Sequence, residues 1–279
     1  MNVMILGSDG FLGRKLKQFM EENDDQVNVI ADSHKYESAS ALINSVSESK
    51  PNIIFNCIAV TNAKKCEDSP EEAYWVNSAI PSLIANYSKS EEIRFIHLST
   101  DAVLSYHTPF KCEDSEPLPY GVYASSKLDG ERNVMQSRSN YLICRVNFFG
   151  LSHKKTSLLD FFVGNIKDGE TCNGYTNVFF TPIGIDTLVQ ILWRLSSLKT
   201  QGVMHVTGNE RISKYQFGKE VELIMNKNSG LVVPKEFNFG EGINSKDLSL
   251  CNCKLRGLLS IPLPDWKVDL ERYLRAERD

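Results

Sequence analysis

A chain of 279 residues, 42% hydrophobic and 24% charged, is long enough to bury one large core or two intergrown ones. A formal net charge of -4 argues against partners held by an excess of Lys and Arg, nucleic acid and anionic membrane surface among them, and leaves a small-molecule site open. The opening run MNVMIL stops at Gly7 without the basic flank of a secretion signal, and no window approaches the roughly 18 uncharged apolar residues of a membrane helix, so a cytoplasmic protein is expected.

Short apolar runs then alternate with helix-period stretches through the first half. Strands are predicted at 3–6, 27–30, 53–55, 95–98 and 141–144, with helices near 11–21, 38–48, 70–88 and 122–137. That rhythm gives an α/β fold with a Rossmann-like doubly wound parallel sheet, whose ligands lie outside the carboxyl ends of the strands. Beyond 150 the pattern loosens. Irregular stretches at 167–180 and 228–247 separate helices at 184–197 and 213–226, a short strand at 203–206 can rejoin the sheet, and an amphipathic helix closes the chain at 266–275. The expected division is a dinucleotide-binding domain over 1–150 and a smaller C-terminal substrate-binding domain over 151–279, partly intergrown with the first.

Gly7, Gly10 and Gly13 follow the first strand and open the first helix in a G-x-x-G-x-x-G pattern. Glycine lets the backbone turn sharply and lets a pyrophosphate approach main-chain N–H groups at the positive end of a helix, so a dinucleotide is expected there. Asp32 stands 19 residues beyond Gly13, where such folds place an acid on the adenosine ribose, which favours NAD. His34 and Lys35 follow at once and can receive the extra phosphate of NADP, so the cofactor is NADPH or NADH. Tyr123 and Lys127 share a helix face at i and i+4, and a cation beside a phenol is expected to lower its pKa toward a working proton donor. Thr100, at the end of the fourth strand, is placed to hydrogen-bond the carbonyl oxygen that takes the proton.

Other residues have plainer readings. His97 falls inside a buried strand and reads as a core histidine. Glu67, Asp68, Glu71 and Glu72 cluster at a helix start and read as capping charges. Phe161, Phe162, Phe179 and Phe180 read as core. The seven cysteines fit free thiols in a reducing compartment, and Cys251-x-Cys253 lacks a further ligand at zinc spacing, so no metal is expected.

Taken together, these strings resemble the extended short-chain dehydrogenase/reductase family, and within it the dTDP-4-dehydrorhamnose reductases and their relatives. The matching stretches are ILGSDGFLG (5–13), NIIFNCIA (52–59), TNAKKCE (61–67), AYWVN (73–77), HLSTD (97–101), PFKCED (109–114) and YASSK (123–127), then GVMHVTG (202–208), YQFG (215–218) and IPLPDW (261–266). The resemblance implies reduction of the keto group of a nucleotide-activated deoxysugar, with Thr100, Tyr123 and Lys127 as the catalytic set. By the same resemblance Asp9, Phe11, Leu12, Cys57 and Ala59 join Gly7, Gly10, Gly13 and Asp32 along the cofactor, and Asn77, Thr100, Asp101, Asn147 and Phe148 meet the substrate. The partners implied are the nucleotide sugar and, at most, a second copy of the chain as a homodimer. Lys64 stands where the family often has an acid, and RVNFFG (145–150) is closer to nucleotide-sugar epimerases, which keeps an epimerase reading open. A regulatory subunit that retains the fold and cofactor without turnover is the third reading.

Overall fold

The computed structural model describes residues 1–104, 108–225, 229–238, 246–260 and 263–275. Strand β1 (Asn2–Leu6) is apolar and buried from its second residue, and α1 (Phe11–Asn23) covers it with Leu12, Leu16 and Met20, one stripe at i, i+4 and i+8. β2 (Asn28–Asp32) extends two residues past the predicted end. Next come α2 (Ala39–Ser49), capped by the Ser38 hydroxyl, and the fully buried β3 (Ile53–Asn56). After the short α3 (Ala63–Asp68), the helix predicted at 70–88 is present but interrupted: α4 (Pro70–Tyr74) runs through a π-turn at Trp75–Ala79 into α5 (Ile80–Ser90). Pro81 has no N–H to give the Asn77 carbonyl, so the ladder widens there. The freed carbonyl lies so close to α6 (Gly121–Ser137) that a Cβ on Gly130 would stand 2.1 Å from it. Between α5 and α6 run β4 (Arg94–Thr100), every residue of it buried, and a 3-10 turn at Asp101–Leu104; β5 (Tyr141–Val146) follows α6.

The remaining elements are shorter. They are β6 (Phe148–Phe149), α7 (Leu158–Asp168), β7 (Cys172–Tyr175), β8 (Val178–Phe180), β9 (Ile183–Gly184), α8 (Ile185–Ser196), β10 (Gly202–Val206), β11 (Ile212–Ser213), α9 (Lys214–Ile224), β12 (Val232–Lys235), β13 (Lys246–Asp247), α10 (Cys253–Leu259) and α11 (Trp266–Arg275). Four of these strands fall in the stretches expected to be irregular, because two to four residues are too few to show an alternation. Part of the 228–247 stretch and the first two residues of the IPLPDW string lie outside the described residues.

Among the described residues the main sheet has the order β10-β5-β4-β3-β1-β2, with β1 through β5 paired in parallel, so β10 does join it. Register puts Leu6 beside both Asp32 and Asn56, and Asn56 beside His97, so three strands end in line while β4 runs three residues further to Thr100. The chain forms two compact units: Met1–Val103, Pro117–Val146 and Val189–Met204 make the first, and Leu104–Glu116, Asn147–Leu188 and His205–Asp279 the second. The division is therefore not one cut near 150. A short segment before α6 belongs to the second unit, and the α8–β10 return belongs to the first.

In the second unit β6 pairs with β9, β7 with β12, and β8 with both β11 and β13. Its core is aromatic. Phe217 is fully buried with ring centroids 5.2 Å from Phe149, 5.6 Å from Trp266 and 5.8 Å from Phe180.

Candidate active site

Gly7 leaves β1 at φ +80°, a left-handed conformation, and a Cβ there would stand 3.0 Å from the main chain of Cys57 and Ile58. On Gly13 a Cβ would meet the Gly7 carbonyl oxygen at 2.3 Å. The turn thus brings the ends of β1 and β3 and the start of α1 together through main chain alone. Gly10 is the N-cap of α1 and offers no side-chain cap to the positive end of the helix. Asp9 is exposed on this turn, whereas the Leu12 side chain is buried and only its main chain lies at the helix start. Cys57 and Ala59 lie half-buried just past β3, with the Cys57 main chain against the same turn. Glycines that admit only backbone, beside an uncapped helix start, fit the pyrophosphate of a dinucleotide.

Asp32 ends β2, and its side chain turns inward. It is 4% exposed and accepts from the Tyr36 hydroxyl, from Ser45 Oγ at 2.8 Å and from the His34 backbone N–H at 2.9 Å. Burial pushes its pKa up, but these donors outweigh it and hold the carboxyl below the ordinary value. The carbonyl of Asp32 accepts from Gly7 N at 2.7 Å and Ser8 N at 2.9 Å, so the residue also fixes the glycine turn. Beside it an open cleft of about 310 Å³ is lined by Ser8, Asp9, Arg14, Lys17, Ala31 and Ser33. His34 and Lys35 are exposed on the loop beyond.

Thr100, Tyr123 and Lys127 are brought together at the carboxyl end of β4. Glu67 Oε1 accepts from Val122 N at 2.8 Å and so holds the start of α6; this acid caps a helix distant in sequence, while Glu71 and Glu72 sit in the first turn of α4. Tyr123 is hydrogen-bonded to Thr100, whose hydroxyl also donates to Asp101 Oδ1 at 3.0 Å. Lys127 is buried and its Nζ donates to the Leu98 carbonyl at 2.7 Å.

The electrostatics differ from the expectation that Lys127 lowers the tyrosine. Burial pushes the Tyr123 phenol up to about 12; the Thr100 hydrogen bond opposes this and the Asp101 charge adds to it. Lys127 is itself lowered to about 8 by burial, against the pull of Glu131. Burial dominates, so at neutral pH Tyr123 holds its proton, the state a donor needs.

Glu131, four residues beyond Lys127, is the residue the motif reading missed, although its i+4 spacing on α6 was there to see. Its carboxylate accepts from Ser99 Oγ at 2.5 Å and from Arg145 Nη2 at 2.7 Å, and all three side chains are buried. Arg145 is therefore an internal ion-pair partner, and half of the motivation for an epimerase falls with it. Asn77 is also fully buried. Its Oδ1 accepts from Val60 N at 3.0 Å, and its Nδ2 donates to Val60 O at 3.1 Å and Ser126 Oγ at 3.0 Å. It ties the strip after β3 to α6. Asn147 and Phe148 lie in the second unit, half-buried; the Asn147 carbonyl accepts from Ile183 N at 3.2 Å. His97 is buried with Nδ1 3.2 Å from Asn56 Nδ2, and burial with the Lys127 charge holds it neutral. Phe162 and Phe180 are core residues, whereas Phe161 is exposed.

Comparison with known proteins gives the family and the fold. The family described as RmlD substrate binding domain matches residues 1–278. A dTDP-4-dehydrorhamnose reductase of Sinorhizobium fredii is 24% identical over 293 residues, spanning 99% of this chain and 97% of that one. The Haloferax volcanii protein named "Probable low-salt glycan biosynthesis reductase Agl14" is 30% identical over 174 residues, which cover 61% of this chain and 58% of the relative's length. The crystal structure of a Bacillus anthracis dTDP-4-dehydrorhamnose reductase in complex with NADP superposes with a TM-score of 0.87 at 23% identity, over 99% of both chains.

Proposed function

This chain belongs to the RmlD substrate binding domain family, and on that premise we propose that it reduces the keto group of a nucleotide-activated deoxysugar with NADPH or NADH, as an extended short-chain dehydrogenase/reductase. One observation carries the reading: Tyr123 stands against Thr100 at the end of β4, with the buried Lys127 one turn along the same helix, in the same unit as the glycine turn.

The nicotinamide, when bound, supplies the hydride. The protein positions the sugar and moves one proton. Thr100 and Tyr123 hydrogen-bond the carbonyl oxygen, and Tyr123 gives its proton to that oxygen as charge develops on it. Lys127, held by the Leu98 carbonyl, would bind the cofactor's ribose and supply positive charge near the phenolate that results, and Glu131, paired with Ser99 and Arg145, favours that charge. The glycine turn and the start of α1 take the pyrophosphate, with Arg14 and Lys17 along the cleft at the end of β2. The proposed setting is the cytoplasm and the proposed assembly a homodimer. Among the described residues no helix is long and apolar enough to cross a membrane.

The test is the loss of reduced nicotinamide absorbance when purified protein meets a panel of nucleotide-linked 4-keto-6-deoxysugars. Oxidation of one cofactor per ketone reduced is expected. No oxidation across the panel overturns the reading, and product formed without net cofactor consumption replaces it with an epimerase.

A further inference from the structure

The second unit carries a group of three thiols with no part in the chemistry above. The segment at Lys111 runs beside the one at Leu250 as a parallel bridge, held by Lys111 N to Ser249 O at 3.2 Å and Cys251 N to Lys111 O at 2.8 Å. Phe110 N to Ser249 Oγ at 2.8 Å and Lys111 Nζ to the Asp247 carbonyl at 2.8 Å fix the same alignment. One residue further along that register, Cys112 comes beside Cys251, and the Cys112 thiol is near enough to act on the Cys251 sulfur electrostatically. Cys253 closes on the other side: its N–H points at Cys251 Sγ, 3.5 Å away, and its thiol is hydrogen-bonded to the same sulfur. Cys112 and Cys253 are exposed and Cys251 half-buried, so a small oxidant reaches the group.

We propose that Cys112 and Cys251 form a peroxide-oxidisable dithiol that closes to a disulfide, covalently joining the Lys111 segment to the Leu250 segment. Neighbouring residues of paired strands have Cα atoms within the roughly 4.4–6.8 Å a disulfide spans, so closure needs no rearrangement of the backbone. Cys251 is the attacking thiolate. Burial pushes its thiol up, but the hydrogen bonds from the Cys253 thiol and N–H and from the Cys112 thiol outweigh this and leave it below its ordinary value. Cys112 is pushed up to about 11, chiefly by the hydrogen bond to Cys251, so it keeps its proton until it resolves the intermediate.

The Cys251 sulfur attacks one peroxide oxygen; an S–O bond forms, the O–O bond breaks, and hydroxide leaves to become water. The Cys112 sulfur then attacks the Cys251 sulfenic sulfur. An S–S bond forms, the S–O bond breaks, and the departing hydroxide takes the Cys112 proton as a second water. Two thiols lose two electrons and one peroxide gains them.

The test treats the intact protein with hydrogen peroxide, traps remaining thiols with N-ethylmaleimide, and maps peptides by mass spectrometry without reduction. A cross-linked Cys112–Cys251 peptide two hydrogens lighter than its parts, released by dithiothreitol, is expected. Cys253→Ser should keep that cross-link, and Cys251→Ser should abolish it while far-ultraviolet circular dichroism stays unchanged. The proposal is overturned if Cys251 is recovered fully maleimide-labelled after peroxide, or if the main disulfide joins Cys251 to Cys253.

Discussion

In the first unit β4 buries all seven of its residues and pairs in register with β3 and β5, whereas the strands of the second unit run two to four residues and pair in twos and threes. The two regions also hold their loops differently. The glycine turn is placed by main-chain hydrogen bonds and close backbone contact. In the second unit, side chains do that work. Asp160 accepts from Ser152 and Ser157, Asn252 donates to the Thr207 and Gly208 carbonyls, and Glu222 accepts from Leu231 N at 2.6 Å. A regular sheet carries a site whose geometry must not drift, and a patchwork held by polar side chains can change its loops one contact at a time.

That contrast predicts that changes in the first unit fall on turnover and changes in the second on stability. The largest effect is expected from Tyr123→Phe, which removes the proton donor from a position already half-buried. kcat should fall by roughly 10²–10⁴-fold with the melting temperature nearly unchanged, and a variant with wild-type kcat would break the comparison. Phe217→Ala should do the opposite. Emptying the centre of the aromatic core should cost about 3–5 kcal/mol in denaturant unfolding, with KM and kcat little changed in the fraction that stays folded.

A subtler effect concerns pH. Lys127 sits at about 8, so its ammonium is present below that pH and lost as pH rises through it, and kcat/KM should decline there. Glu131 favours the charged form, so Glu131→Gln should move this alkaline limb to lower pH. A limb that stays in place would make the carboxylate purely structural.

The smallest effect is expected at the start of α7, where Ser157 and Asp160 form a reciprocal capping box. Asp160→Asn should destabilise by about 0.5–2 kcal/mol at neutral pH. Burial raises the Asp160 carboxyl, but hydrogen bonds led by that from Ser152 hold it below its ordinary 3.8. Its contribution is therefore present above that value and lost as pH falls through the lower folded one. Wild-type and variant melting temperatures should converge in acid below pH 3.8.

The sequence by itself determined the parallel sheet, the glycine turn and the Tyr123–Lys127 pair, because these rest on patterns local to a few residues: buried apolar runs, a Gly spacing and an i, i+4 face. It could not determine which groups would share a buried space. Only the tertiary structure turned Asp32 inward onto Tyr36 and Ser45, engaged Asn77 with Val60 and Ser126, and committed Arg145 to Glu131. Nor could spacing foretell that burial would raise Tyr123 above its ordinary value, since desolvation depends on everything packed around a group and leaves no mark in its immediate neighbours along the chain.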